Sequence, residues 1–225
     1  MSIPIHLHKV NTMKQLLILS LLASLLLADE GKTTVKITEE MPVAYTIDSG
    51  KKIKIERIQD TNNRLTDDYT KTSRPCPPFC IQPTKIDPDI KNIAEIEIIN
   101  FMKDKVTNKT GVLVDARLKS WFELETIPSA VNIPFPVIQN ASKKKAEMIF
   151  KILGMKVKLD GTWDFSNAKE IAVFCNGLWC EQSKHFIEGM LKYNYPKDKL
   201  FYYRSGFQGW KLLGLTTIVH KEIKK

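Results

Sequence analysis

The distribution of apolar residues changes near residue 90 and predicts two structural regions. After residue 90, short apolar runs alternate with longer segments in which apolar residues recur at every third or fourth position. The short runs predict buried strands at residues 112–114, 131–134, 171–174 and 200–203. The periodic segments predict helices at residues 89–103, 118–124, 143–153, 183–193 and 206–213. Buried strands that alternate with helices are typical of a parallel sheet covered on both faces, so we expect an α/β domain over residues 91–225.

The region before residue 90 shows a different pattern, because β-branched and polar residues alternate between residues 33 and 58. A proline and a Ser-Gly pair interrupt the alternation, which predicts two or three short strands. The PCPPFC segment at residues 75–80 predicts a rigid turn. We therefore expect residues 29–90 to form a small β-rich extension that packs on the α/β domain.

The N-terminus contains a nearly continuous apolar run, Leu16–Leu27, which follows Lys14 and precedes Ala28. A basic residue, a short apolar run and a small residue before polar sequence form the pattern of a secretory signal peptide. The run is shorter than the roughly 20 apolar residues that a transmembrane helix needs. We therefore predict a signal peptide over residues 1–28 and a periplasmic location, with an uncleaved membrane anchor as the alternative. Met13 is an alternative start of translation.

The net charge of +9 raises the question of nucleic-acid binding, but the types of basic residue argue against it. Of 34 basic residues only five are arginine, the side chain that binds phosphate and guanine through two hydrogen bonds at once. The lysines are dispersed along the chain and do not form a stripe with interleaved aromatic residues. We therefore expect a solvated basic surface and no nucleic-acid partner.

Four cysteines form two pairs that are far apart in the sequence, Cys76 with Cys80 and Cys175 with Cys180. Their C-x3-C and C-x4-C spacings differ from the C-x2-C pairs of common zinc sites, so we predict neither a metal nor a cofactor. Disulfides form readily in exported proteins. The two prolines between Cys76 and Cys80 favour a short disulfide there. A redox relay to the second pair and an incomplete copper site are the alternatives.

Cys175 stands where the predicted strand at residues 171–174 meets the tight loop CNGLWCEQS, which opens a helix. The amide groups of such a loop can point inward as an anion cradle, and Gly177 permits the turn. The N-terminus of the following helix favours the thiolate, which is the reactive form of cysteine. We therefore predict that Cys175 is a nucleophile, with a buried structural cysteine as the alternative.

Four segments, taken in order over residues 91–217, resemble the rhodanese-like sulfurtransferases. VDAR at residues 114–117 is similar to the family's DxR, and TIPSAVNIP at residues 126–134 is similar to its HIPGAINIP. Cys175 begins the active loop, and YRSGFQGW at residues 203–210 is similar to LxGGxxxW. The CNGLWCEQS loop and the upstream RPCPPFCIQP are similar to an exported subgroup with a second loop cysteine.

The resemblance implies a central parallel sheet flanked by helices and a sulfurtransferase that carries sulfane sulfur as a persulfide on Cys175. The loop amides of residues 176–181 are expected to stabilise the charged sulfur, and a thiol, cyanide or sulfite to accept it. Asp115 and Arg117 are expected to orient the loop or to pair with each other. The residues expected to contribute to substrate binding are Asn176, Gly177, Leu178, Trp179, Glu181, Gln182, Asp115, Arg117 and Arg204.

The chain departs from the family pattern at Thr126, where the family has His, and at Ser129, where it has Gly. The loop contains no Lys or Arg, and Glu181 adds negative charge. We therefore expect polysulfide or a protein persulfide as the sulfur donor rather than thiosulfate, and a thiol acceptor such as a periplasmic redox protein. Phosphatase activity is not expected, because no arginine closes the loop.

Cys180 follows Cys175 by five residues across the loop, and we expect it to resolve the persulfide. It would either displace sulfide and leave a disulfide, or hold the sulfur in a trisulfide; a packed loop residue is the alternative. A second class of function stays open, in which the two cysteines form a disulfide and the protein is a binding or thiol–disulfide redox module.

Overall fold

The computed structural model describes residues 33–220, and the predicted signal peptide at residues 1–28 lies outside the described residues. The strands are β1 (Ala44–Asp48), β2 (Lys51–Ile55), β3 (Lys91–Ile93), β4 (Gly111–Asp115), β5 (Glu125–Thr126), β6 (Val131–Asn132), β7 (Lys156–Val157), β8 (Trp163–Asp164), β9 (Glu170–Phe174), β10 (Leu200–Tyr203) and β11 (Ile218–Val219). The α-helices are α1 (Glu95–Phe101), α2 (Lys119–Leu124), α3 (Phe135–Gln139), α4 (Lys143–Ile152), α5 (Gln182–Leu191) and α6 (Gly206–Leu212). A π-helical turn at Met102–Val106 continues α1, and short 3-10 turns occupy Asp68–Thr70 and Lys197–Lys199. Within residues 33–220, no helix has the length and apolar character needed to cross a membrane.

The central sheet has five strands in the order β3-β10-β9-β4-β6, and every neighbouring pair is parallel. Leu113 of β4 and Val173 of β9 are completely buried at the centre of the sheet. One core cluster on the sheet includes Phe150 of α4, and a second includes Phe207 of α6. The predicted fold class, a parallel α/β sheet flanked by helices, is confirmed. The carboxyl ends of β4 and β9 therefore meet at one edge of the sheet, where such folds bind ligands.

The predicted helix at residues 89–103 is wrong at its start, because Lys91–Ile93 form the edge strand β3. Asn92 pairs with Tyr202 of β10, and the helix begins only at Glu95. The amide of Ala94 donates to the Glu97 carboxylate at 3.0 Å, which caps the helix start. The spacing of the isoleucines extends through β3, so periodicity alone cannot separate the strand from the helix.

The predicted strand at residues 131–134 is shorter in the structure and ends at Asn132. Pro134 lies directly before α3 and Pro136 stands in its first turn, where proline fits because the first amides of a helix have no partner within the helix. The Phe135 amide donates to the carbonyl of Ala116, just beyond β4. The five-residue helix α3 is absent from the sequence-based prediction.

The segment before the α/β sheet contains the β1–β2 hairpin and mainly irregular chain. Ala44, Ile55 and Tyr69 of this segment are buried in the same core cluster as Phe174 and Trp210. Tyr69 makes an edge-to-face contact with Phe207 of α6, with ring centroids 5.4 Å apart. The hairpin and the irregular chain after it therefore supply side chains to the core beneath the end of β9.

Candidate active site

The active loop, which we define as residues 175–181, connects β9 to α5. Helix α6 holds it from one side, because the amides of Phe207 and Gln208 donate to the carbonyls of Cys175 and Asn176, both at 2.8 Å. Gly206 has a positive φ of 58°, and a Cβ atom there would lie 2.5 Å from the Cys175 carbonyl oxygen. The close approach of α6 to the active loop thus requires glycine at this position.

The Cys175 thiol is 2% exposed and is surrounded by hydrogen-bond donors. Burial raises the pKa of this thiol, but the Cys180 thiol, the Ser183 hydroxyl and amide, and the Gly177 amide favour the thiolate and lower the pKa to about 7. In its neutral form the Cys175 thiol lies 3.1 Å from the Cys180 carbonyl oxygen and donates to it. The single acceptor favours the thiol and the four donors favour the thiolate, so the donors determine the direction of the pKa shift.

The Ser183 hydroxyl is the donor that sequence reasoning missed. Ser183 is fully buried in the first turn of α5, and its Oγ has no conventional hydrogen-bond partner within residues 33–220. A buried hydroxyl without a partner is unfavourable, and a negative charge on the Cys175 sulfur supplies one. The signal in the sequence is its place in CNGLWCEQS, eight residues after the nucleophile and at the start of the following helix.

Cys180 is free and buried beside Cys175, where its thiol favours the Cys175 thiolate. Burial and the neighbouring Cys175 thiolate raise the pKa of Cys180 well above its ordinary value. The side-chain amide of Asn176 donates to the Cys180 sulfur across 3.6 Å. The pair thus combines a thiolate at Cys175 with a protonated thiol at Cys180.

A buried hydrogen-bond chain links the end of β4 to the active loop. Arg117 donates to Asp115 at 2.6 Å and to the Tyr69 hydroxyl at 2.9 Å, and Tyr69 in turn donates to Asn176 at 2.8 Å. Thr126, which replaces the family's histidine, donates to Asp115 at 2.8 Å. Burial lowers the pKa of Arg117, but Asp115 raises it more, so the pKa lies above its ordinary value. Because Asp115 and Arg117 are at most 1% exposed, they support the loop from beneath.

The disulfide segment, which we define as residues 74–82, lies over the active loop. Cys76 and Cys80 form a disulfide with their Cα atoms 4.7 Å apart. Phe79 packs edge-to-face on Trp179 at 5.6 Å, and the Arg74 guanidinium lies 3.8 Å from the Trp179 ring centroid. The backbone amide of Gln82 donates to the backbone carbonyl of Leu178 at 2.8 Å.

Arg204, a predicted substrate-binding residue, is engaged with the end of this segment. Its guanidinium donates to the carbonyls of Gln82 at 2.7 Å and Pro83 at 3.1 Å. These bonds tether the disulfide segment to the carboxyl end of β10. Its contribution to binding an anion stays a prediction.

A pocket of about 260 Å³ opens beside the loop and is mainly apolar. Phe79 of the disulfide segment, Trp121 of α2 and Phe135 of α3 form its walls, and Glu181 and Gln182 lie at its polar end. Two residues expected to bind substrate are not among the described residues that line this pocket. Leu178 lines a separate pocket with Gln208, and the Trp179 indole donates to Gln208 at 2.8 Å. Within the described part of the chain, no group of three or more His, Cys, Asp or Glu side chains is arranged to hold a metal ion.

The chain matches one protein family and is similar to several solved structures. The profile of the family described as "Rhodanese-like domain" matches residues 99–213. No curated protein matches the sequence. Similar solved structures include a thiosulfate sulfurtransferase from Pseudomonas aeruginosa, with 15% identity, a TM-score of 0.40, and coverage of 59% of this chain and 21% of that one. A 3-mercaptopyruvate sulfotransferase from Escherichia coli has 17% identity, a TM-score of 0.37, and coverage of 54% and 43%. A single-domain sulfurtransferase from Saccharomyces cerevisiae has 18% identity, a TM-score of 0.38, and coverage of 54% and 89%. The chain thus spans about a fifth of the Pseudomonas protein's length and less than half of the Escherichia one.

Proposed function

The chain belongs to the rhodanese-like domain family, and from this premise we propose that it is a sulfurtransferase that carries sulfane sulfur as a persulfide on Cys175. One observation carries the proposal. The Cys175 sulfur lies at the end of a central strand among donors that lower its pKa to about 7, so a thiolate is present at neutral pH. A thiolate is the form that attacks sulfane sulfur.

The proposed loading step is a displacement at sulfur. The Cys175 thiolate attacks the terminal sulfane sulfur of a polysulfide or of a persulfide on a donor protein. The bond between that sulfur and the rest of the donor breaks, and the shortened donor leaves with the electron pair. The product is a Cys175 persulfide anion, and the same amides and the Ser183 hydroxyl that stabilise the thiolate are available to it.

The apolar lining of the pocket supports polysulfide or a protein persulfide over thiosulfate as the donor. Among the described residues that line the pocket, His185 is the only side chain able to carry positive charge, and it lies 3.5 Å from the Glu181 carboxylate. A sulfonate group in the pocket would therefore lie near a carboxylate without a free cation to offset it. A chain of sulfur atoms or a persulfide side chain fits the aromatic walls better.

We also propose that the protein acts in the periplasm, with small sulfur species as donors and a thiol, such as that of a periplasmic redox protein, as acceptor. The signal-like sequence at residues 1–28 supports this location. The Cys76–Cys80 disulfide is also typical of an oxidising compartment.

A second candidate is a thiol–disulfide redox module that uses Cys175 and Cys180 without transferring sulfur. The placement of the two thiols favours it, because a thiolate beside a second thiol is the arrangement from which an internal disulfide forms.

An assay of thiocyanate formation from cyanide tests the proposal and separates the two candidates. We expect turnover with polysulfide, much less with thiosulfate, and none in Cys175→Ser. Exposed Ile81, in the disulfide segment, provides a control variant, Ile81→Ala, that should keep the wild-type rate. Absence of thiocyanate with every donor, together with a reversible Cys175–Cys180 disulfide, would establish the redox module instead.

A further inference from the structure

The two cysteines of the active loop differ in their access to the pocket. Among the described residues, those that line the pocket of about 260 Å³ include Cys180 but not Cys175. Both cysteines are buried, at 2% and 3% exposed, and the Cys175 sulfur is surrounded by Cys180, by Ser183 and by the Gly177 amide. A thiol bound between Phe79 and Phe135 therefore contacts the Cys180 residue rather than Cys175.

The surroundings of Cys180 suit it to hold a sulfur atom. The Asn176 side-chain amide points its donor at the Cys180 sulfur, and the backbone amides of Asn176 and Gln182 also favour its charged form. Asn176 is itself held by the Tyr69 hydroxyl, so its donor has a fixed direction. These donors give Cys180 a polar support of its own, distinct from Ser183, which serves Cys175.

We propose that Cys180 is a second sulfur carrier, which takes the sulfane sulfur from the Cys175 persulfide and presents it to an uncharged or cationic thiol bound in the pocket. This inference rests on the proposed function, since it needs a persulfide on Cys175. It assigns the two cysteines to consecutive steps, with the buried one loading and the pocket-facing one delivering.

The internal transfer is balanced and involves no net oxidation. The Cys180 sulfur attacks the outer sulfur of the Cys175 persulfide, and the bond between that sulfur and Cys175 breaks. Cys175 leaves with the electron pair as a thiolate, and the Cys180 proton moves to the transferred sulfur. The low pKa of Cys175 makes it the better leaving group, and the raised pKa of Cys180 makes its thiolate the stronger nucleophile. The acceptor thiolate then attacks the outer sulfur on Cys180 and departs as a persulfide.

The polar end of the pocket defines the class of acceptor. Glu181 contributes a carboxylate, and the side-chain oxygen of Gln182 is buried without a partner within residues 33–220. Both groups are acceptors, so they favour a thiol that carries an N–H or ammonium group and disfavour an anionic thiol. Three small thiols of similar size probe this preference: cysteamine is cationic, 2-mercaptoethanol is uncharged, and 2-mercaptoethanesulfonate is anionic.

The test begins with protein loaded with polysulfide, alkylated and digested with trypsin, which releases both cysteines in the peptide of residues 170–184. Fragmentation of that peptide locates the added sulfur. The wild type should carry it on Cys180 as well as on Cys175, and Cys175→Ser should carry little on Cys180. Persulfide on Cys180 of Cys175→Ser, formed at the wild-type rate, would overturn the proposed order.

Delivery is measured in Cys180→Ser, which retains a small polar side chain at the pocket. Because the Cys180 thiol also helps to lower the pKa of Cys175, the variant's own loading of Cys175 and its discharge to cyanide, a two-atom acceptor, serve as its reference and show that it is folded. Relative to that cyanide rate, its transfer to 2-mercaptoethanol should fall by about tenfold or more, because exchange depends on access to the sulfur that is attacked. In the wild type, cysteamine should be the best of the three thiols and the sulfonate the poorest.

Two adverse outcomes have different meanings. If Cys180→Ser transfers sulfur to 2-mercaptoethanol as fast as the wild type, the relay is wrong while the Cys175 persulfide stands. If no variant and no donor yields a persulfide on Cys175, the proposed function fails and the relay fails with it. A preference for the sulfonate would contradict the assigned class of acceptor.

Discussion

Replacing Ser183 with alanine removes one hydrogen-bond donor from the Cys175 thiolate with little change in volume. The hydroxyl is buried and favours the charged sulfur, so its loss should raise the pKa of Cys175 from about 7. A hydrogen bond to a charged group contributes about 1.5–3 kcal/mol, and about 1.4 kcal/mol corresponds to one pH unit. The pKa should therefore rise by roughly one unit or more, toward the ordinary thiol value near 8.5.

The consequence at neutral pH follows from the titration curve. With a pKa of about 7, about half of Cys175 is thiolate at pH 7. After a rise of one unit, about a tenth is thiolate, so the rate of alkylation at pH 7 should fall about fivefold. At a pH well above both pKa values the rates should converge, which distinguishes a pKa change from a loss of access.

The assay is alkylation by iodoacetamide between pH 5 and 10, with the Cys175 adduct quantified by mass spectrometry of the loop peptide. Ser142→Ala is a matched control, because Ser142 also stands at the start of a helix and its side chain accepts from the Lys145 amide. The control should lower the free energy of unfolding without moving the titration of Cys175. An unchanged Cys175 midpoint in Ser183→Ala would refute the role assigned to the hydroxyl.

Three further substitutions test the supports of the active loop. Tyr69→Phe removes the hydroxyl that joins Arg117 to the loop and should lower the free energy of unfolding by about 1–3 kcal/mol in a denaturant titration; an unchanged midpoint would show that the chain does not support the loop. Asp115→Ala leaves the Arg117 guanidinium buried without its ion-pair partner and should cost about 3–5 kcal/mol, and a small change would contradict the burial of this pair. Gly206→Ala places a methyl group against the Cys175 carbonyl and should slow persulfide loading, with only a small effect on thermal stability. Loading at the wild-type rate would show that α6 can move away from the active loop.

The central elements of the fold follow from local sequence because burial there is complete. Strand β9 lies between two neighbours and beneath helices, so its sequence is an uninterrupted apolar run that predicts a strand without further information. Strand β3 has a neighbour on one side only, and two of its three residues are exposed, so its sequence carries no such signal. The two-residue strands β5 and β11 pair with each other across the fold and are determined by tertiary contacts.

The residues of the candidate site also divide into those that local sequence identifies and those that tertiary contacts bring to the site. Cys175 is identified from one stretch of chain, because strand, loop and helix follow each other without interruption. Tyr69 and Phe79 reach the same site from irregular sequence about a hundred residues earlier, and no periodicity marks them. Asp115 and Arg117 are recognisable from the family motif, but their role beneath the loop depends on Tyr69, which the motif does not include. Contacts between distant segments thus account for what the sequence leaves unassigned.

Persulfide formation on Cys175 is read most simply from the mass of the tryptic peptide of residues 170–184 after brief exposure of the protein to polysulfide and quenching by alkylation. We predict a peptide heavier by one sulfur atom, formed faster as the pH rises through about 7, and abolished as a Cys175 species by Cys175→Ser. A peptide that gains no sulfur at any pH, or that only loses two hydrogen atoms through a Cys175–Cys180 disulfide, would contradict it.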